Sequence, residues 1–231
     1  MKIPLTKYGW PEVVVYPAAI LAGFIIVGAA SISLVPIWAG IALEMVLGGL
    51  FVLSLMFFRD PERAGPKGSS VLLAPADGKV TVIEKVEENG FIGGPALKIG
   101  IFLSIFNVHI NRAPCKVRVE RITYKKGRYI NAANPESGRV NESNELDLMR
   151  TDSPKDRLVV RQISGAIARR IVCAAGQGQL LAAGERFGMI KFGSRTELYV
   201  PASKDIRPLV QVGDKVKAGL TPLLRYELCE D

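Results

Sequence analysis

Among 231 residues there is one histidine, His109, and there are three cysteines, Cys115, Cys173 and Cys229. The cysteines form no C-x-x-C pair, and an odd number closes no complete disulfide set, which favours a reducing compartment or a cytosolic face. No cluster of His, Cys and carboxylates has metal-ligand spacing, so no metal is expected. G-x-S-x-G, H-E-x-x-H and P-loop patterns are absent, and Gly176-Gln177-Gly178 lacks the third glycine of a dinucleotide fingerprint. Basic charge is in excess, but no helix-turn-helix, zinc-finger or RNP pattern accompanies it, so nucleic acid is not an expected partner. Charge is also missing locally. Residues 13–35 carry none, and residues 37–58 carry only Glu44.

A membrane-spanning helix needs about 20 apolar residues, and each of these two runs is long enough. Pro36 interrupts them, and residues 31–36 read as the tight link of a helical hairpin. The first run is too long for a signal-peptide core and a second follows at once, so a cleaved leader is disfavoured. A hairpin buried in a soluble core and a re-entrant or interfacial hairpin remain alternatives. Lys2 and Lys7 flank one end, Arg59 and Arg63 the other, which by the positive-inside rule puts both ends in the cytoplasm. Two lysines and two glutamates cancel within residues 1–58, so the whole net charge of +8 lies after them. A basic part behind an apolar one fits an anionic bilayer surface.

Residues 64–70 read as a linker. Beyond it come short β-favouring runs broken by Gly, Asp and Pro, at 71–73, 79–86, 96–104, 116–124, 158–163, 170–174, 189–192 and 197–200. That spacing predicts a mainly-β (α+β) domain, a sandwich or partly closed barrel, over residues 59–231 behind the hydrophobic helical hairpin of residues 1–58. The polar stretch 130–153 is expected to be a long loop, and 180–185 a short helical turn. Residues 210–219 look like the tight turn of a biotinyl or lipoyl carrier barrel. Lys215 and Lys217 straddle Val216 without the flanking residues of a modified lysine, so this is read as a structural turn.

Two β-like runs meet at Gly193-Ser194. Glycine tolerates strained backbone and close approach to its carbonyl, and serine sets a hydroxyl beside that carbonyl. Together they are the minimum needed for an N-to-O acyl shift. The run Phe192-Gly193-Ser194-Arg195 occurs together with Phe58-Arg59-Asp60-Pro61-Glu62-Arg63, Ala74-Pro75-Ala76-Asp77-Gly78, Phe102-Leu103-Ser104 leading to His109, and Asn141-Glu142 with Asn144-Glu145. In this order the motifs resemble the short form of phosphatidylserine decarboxylase, and they span most of the chain.

The resemblance implies a proenzyme that cuts itself between Gly193 and Ser194 and turns Ser194 into a covalent pyruvoyl cofactor. It implies decarboxylation of phosphatidylserine to phosphatidylethanolamine at the cytoplasmic membrane, with the catalytic domain on the cytoplasmic face. The partners it implies are phosphatidylserine, anionic membrane lipid and the chain's own fragments, 1–193 with 194–231; a homo-oligomer is compatible with it. Asp77 and His109 are expected to converge on Ser194. Arg112, Lys116 and Arg118 follow His109 closely and are candidates for the lipid phosphate. The family often has a second histidine three residues after the first, where this chain has Arg112. His109 then serves both cleavage and decarboxylation, or another group takes one step. Two rival readings stay open: a decarboxylase of another serine phospholipid, such as an archaeal ether lipid, and a non-catalytic membrane-anchored carrier or scaffold.

Overall fold

In a computed structural model of the chain, the described residues are 4–33, 36–66, 68, 70–166, 170–191 and 193–227. Lys2, Phe192, Cys229 and part of the expected hairpin link lie outside them. The chain divides into two compact units, Met1–Glu62 and Arg63–Asp231.

The first unit is the hairpin. After a short 3-10 turn, Lys7–Gly9, come α1 (Glu12–Ser33) and α2 (Ile37–Phe57). Both are long and apolar enough to cross a membrane. They lie against one another through small residues. A Cβ on Gly40 would fall 2.0 Å from Ser31 Oγ, and one on Gly28 would fall 3.5 Å from Glu44 Oε1. Glycine at these places lets two helices approach closely. The one acid in the apolar run, Glu44, thus faces α1 across the hairpin. Ile25, Ile32, Trp38 and Met45 point outward and are at least 73% exposed. Helices apolar on all faces are suited to lipid.

The second unit is mainly β. Its strands are β1 (Val71–Leu73), β2 (Gly78–Glu88), β3 (Gly94–Leu103), β4 (Ile110–Arg112), β5 (Val117–Lys125), β6 (Ser143–Arg150), β7 (Arg157–Ile163), β8 (Ile171–Cys173), β9 (Leu180–Leu181), β10 (Arg186–Ile190), β11 (Ser194–Pro201), β12 (Ile206–Pro208), β13 (Lys215–Val216) and β14 (Pro222–Tyr226). One curled sheet of eight runs β13-β2-β3-β11-β7-β6-β5-β9, and its pairs are antiparallel. Two three-stranded sheets, β1-β14-β12 and β4-β10-β8, complete the unit. Alternate residues of the large sheet, among them Val80, Ile99, Ile101, Leu146, Leu148, Val160 and Leu198, bury a common core with Leu72, Phe187, Leu223 and Leu224 of the small sheets. The helical hairpin followed by a partly closed β domain is therefore as expected.

Two expectations are corrected. The stretch 130–153 is not one long loop: it holds α3 (Ser137–Val140) and β6, which lies between β7 and β5 well inside the large sheet. Its polar composition made it read as a loop, yet Asn141, Glu142 and Asn144 are buried. The stretch 180–185 is not helical; it opens with β9, which pairs with β5. Pairing partners distant in sequence override weak local preference.

Candidate active site

The chain leaves the small sheet β4-β10-β8 at Ile190 and enters the large one at Ser194. The Gly193-Ser194 bond is thus a crossing between two sheets, anchored on both sides. From Ser194 onward β11 pairs along its whole length with β3, Ser194 opposite Leu103 and Pro201 opposite Ala96, while β7 takes the other edge.

Gly193 has φ +63°, the left-handed region, and apart from its chain neighbours no described residue lies within 4 Å of where a Cβ would stand. Space alone would admit a side chain there; the backbone conformation disfavours it by about 1–2 kcal/mol. Ser194 is fully buried, and its Oγ has no hydrogen-bond partner among the described residues. A buried hydroxyl without a partner costs about 1–3 kcal/mol. Groups held at such a cost cluster at reactive sites.

His109 is also fully buried and precedes β4. Its Nδ1 lies 2.9 Å from the Asn107 carbonyl oxygen, and Gly193 N–H donates to its Nε2 at 3.4 Å. A carbonyl can only accept, so the proton sits on Nδ1 and Nε2 keeps its lone pair toward the junction. The ring is held from below by the turn that Asn107 closes, Asn107 Oδ1 accepting from Ser104 N and Ser104 Oγ.

Two residues after His109, Asn111 begins a buried amide chain. Asn111 Nδ2 donates to Thr196 Oγ1 at 3.0 Å and to the Pro75 carbonyl at 3.3 Å. Gln162 Nε2 donates to Asn111 Oδ1 at 2.9 Å, and Asn144 Nδ2 donates to Gln162 Oε1 at 3.1 Å. These bonds tie the histidine's strand to β11, β7 and β6, so imidazole and junction are fixed in one frame. They also account for Asn144, whose role the sequence left open. Thr196, Asn111 and Gln162 were not foreseen; the only signal was polar residues inside strand-like runs.

Asp77 is buried at the same end of the sheet. Lys79, two residues on, and Arg195 flank Phe102 across two strand spacings, which is about 10 Å. Among the described residues the hydrogen bonds of Asp77 go to Arg63 and Ala218. Asp77 Oδ1 and Oδ2 accept from Arg63 Nη1 at 2.5 Å and Nη2 at 2.8 Å, and Oδ1 also accepts from Ala218 N. The carboxylate expected to orient the imidazole is therefore committed to a guanidinium, and the Asn107 carbonyl takes the orienting place.

The three basic candidates are not brought to the junction. Arg112 is buried and donates to the Gly184 carbonyl, with its Cδ packed under Gly219. Lys116 is exposed near Asp152, and Arg118 pairs with Glu120. Lys125 stands level with Arg195 through Ser143 and Ile163, and Arg118 is seven residues further along β5, about 23 Å away at about 3.3 Å per residue. After β4 the chain passes to β5, near the other edge of the large sheet, which carries Arg118.

Beside the junction an apolar cavity of about 210 Å³ is lined by Phe102, Ser104, Ile105, Asn131, Ala132, Ala166 and Gly193. Further along the same sheet face, Glu197 is buried among Tyr199, Lys98, Arg161 and Arg195. Tyr199 OH donates to Glu197 Oε2 at 2.6 Å, and Arg195 Nε lies 2.9 Å from Oε1, in ion-pair range though not aligned for a hydrogen bond. Burial first, and the Glu197 charge second, push the Tyr199 phenol well above its usual range. Among the described residues no group of His, Cys, Asp and Glu could hold a metal ion. Lys215 lies in edge strand β13, opposite Lys79, and Lys217 N donates to Thr221 Oγ1, so the 210–219 turn is part of the sheet's framework.

Fold and site together define a class: an enzyme whose mainly-β domain follows an apolar helical hairpin and carries a Gly-Ser junction, its serine buried, against a histidine. Residues 50–223 match the family model described as phosphatidylserine decarboxylase, and the chain belongs to that family. Relatives named phosphatidylserine decarboxylase proenzyme include one from Rhodopirellula baltica, 41% identical over 94% of this chain and 91% of its own. Another, from Symbiobacterium thermophilum, is 41% identical over 96% of this chain and 95% of its own. A third, from Desulfotalea psychrophila, is 46% identical over 74% and 78%.

Proposed function

We propose that this chain is a proenzyme that cuts itself between Gly193 and Ser194 and then decarboxylates phosphatidylserine to phosphatidylethanolamine. The observation that carries this reading is the buried Ser194 Oγ, without a hydrogen-bond partner among the described residues, beside a left-handed Gly193 whose N–H reaches His109 Nε2. A hydroxyl left without a partner beside a carbonyl is what a pyruvoyl precursor requires, so the residues fit the group.

His109 Nε2 takes the Ser194 Oγ proton as Oγ attacks the Gly193 carbonyl carbon. The proton passes to Ser194 N as the C–N bond breaks, leaving an ester. Removal of the residue-194 Cα proton expels the Gly193 carboxylate and leaves a dehydroalanine. Tautomerisation and addition of water then release ammonia and leave the pyruvoyl ketone at the head of 194–231. When formed, that group supplies the electron sink for loss of CO₂ from the serine headgroup. In this reading His109 Nε2 also returns a proton to the substrate's α-carbon, so that one imidazole serves both stages. The cavity over Gly193 gives the lipid an apolar approach. Asp77 supports this end of the sheet through Arg63.

The cut would fall at the first residue of β11, which is paired on both edges, so fragments 1–193 and 194–231 stay together without a covalent bond. The hairpin holds the enzyme at the membrane, with its ends and the catalytic domain on the cytoplasmic face. Intact mass tests the reading. The wild type should separate into two pieces, the smaller without a serine amine, and Ser194→Ala should remain one chain of 25.1 kDa. A Ser194→Ala chain that still splits refutes it.

A further inference from the structure

The Gly193 carbonyl packs against Gly165. A Cβ on Gly165 would stand 2.2 Å from Gly193 O and 3.1 Å from Gly193 C, so the carbonyl rests directly on the Gly165 backbone. Gly165 is itself held. Its neighbour Ser164, fully buried, donates from N and from Oγ to the Glu142 carbonyl at 2.9 and 3.1 Å. Asn141 Nδ2 donates to the Ser164 carbonyl at 2.7 Å and to the Ile130 carbonyl at 2.8 Å, while Asn141 Oδ1 accepts from Ile130 N at 3.0 Å. One buried side chain thus clamps two passing backbones. The first leads to Ala132 in the cavity wall and the second to Gly165. The Asn141-Glu142 pair, otherwise a polar loop motif, has a mechanical place here.

We infer that Gly165, fastened by Asn141 through Ser164, is a positioning residue that sets where the Gly193 carbonyl lies for attack by Ser194. This rests on the reading of Gly193-Ser194 as the scissile bond. Acyl transfer needs the reacting atoms about 3–3.5 Å apart and aligned, and a displacement of about 1 Å can cost about a hundredfold in rate. An added methyl at Gly165 has to push the carbonyl at least that far to restore van der Waals contact. It therefore changes the attack geometry without touching Ser194 or His109.

The test is the rate at which freshly made full-length precursor splits, beside the melting of its β domain in detergent. Gly165→Ala should split about a hundredfold more slowly while its β domain still melts in one cooperative transition. Adding Ala132→Gly removes the other close neighbour, whose Cβ would lie 3.2 Å from the new methyl. The double variant should stay slow, because the contact with Gly193 O persists. Asn141→Asp keeps the acceptor for Ile130 N but loses both donations, so it should split as slowly as Asn141→Ala. If Gly165→Ala misfolds, the Asn141 pair decides by the same comparison. Wild-type rates in Gly165→Ala or Asn141→Asp, or rescue by Ala132→Gly, overturn the inference. A wild-type chain that stays whole or splits elsewhere overturns instead the reading of the junction.

Discussion

Removing the Asp77 carboxylate separates support of the fold from participation in chemistry. Asp77 and Arg63 form a two-pronged pair whose side chains are 9% and 7% exposed, and the Ala218 amide adds a third donor. Asp77→Asn keeps the shape but turns an NH₂ toward a guanidinium, leaving a buried cation without its counter-charge. Breaking one side of such a pair costs about 3–5 kcal/mol. For a domain of this size about 1 kcal/mol shifts the melting temperature by about 2–4 °C, so a drop of about 6–20 °C is expected. The assay is the thermal loss of β-sheet circular dichroism in detergent, in a Ser194→Ala background so that cleavage cannot intervene. Arg63→Met with Asp77→Leu removes both charges, and because apolar replacement of a buried pair is often neutral, it should recover most of the loss. If that pair of changes in a chain retaining Ser194 also restores splitting, Asp77 acts through packing alone. A melting temperature unmoved by Asp77→Asn refutes the reasoning.

Three further outcomes are expected. Gly193→Ala meets no close contact among the described residues but places a side chain at φ +63°, so splitting should slow while the fold survives; mass analysis over time checks it. Tyr199→Phe leaves Glu197 Oε2 without its phenol donor, and denaturant unfolding should show a loss of about 1.5–3 kcal/mol, the range for a bond to a charged group. Asp147 has its carboxyl raised above the ordinary range, by burial first and by the Glu145 and Glu88 charges against the opposing pull of Arg121. A raised carboxyl binds its proton more tightly folded than unfolded, so its contribution is full at acid pH and is lost as pH climbs through the raised value. Asp147→Asn should therefore melt higher than wild type at neutral pH, with the advantage vanishing below the ordinary carboxylate range.

Much of the molecule was legible in its residues. Two runs of spanning length, one without charge and one with only Glu44, are satisfied as apolar helices, and the hairpin follows from composition. Short β-favouring runs punctuated by Gly, Asp and Pro specified a mainly-β domain, because alternation and turn chemistry are local. Gly193-Ser194 and the sole histidine could be singled out because glycine's backbone freedom, a neighbouring hydroxyl and an imidazole are properties of residue types. What spacing along the chain could not convey is who meets whom across it. Asp77 was paired in expectation with His109 but belongs to Arg63, and Arg118 is near His109 in number yet stands at the far end of the sheet. Asn144 and Glu145 were expected in a polar loop and lie in an inner strand, since a polar residue is stable in a core only when a distant partner satisfies it. Those partners, Gln162 for Asn144 and Ser164 for Asn141, are chosen by strand order. Strand order comes from burying one shared apolar core, and that is decided only when the whole chain closes on itself.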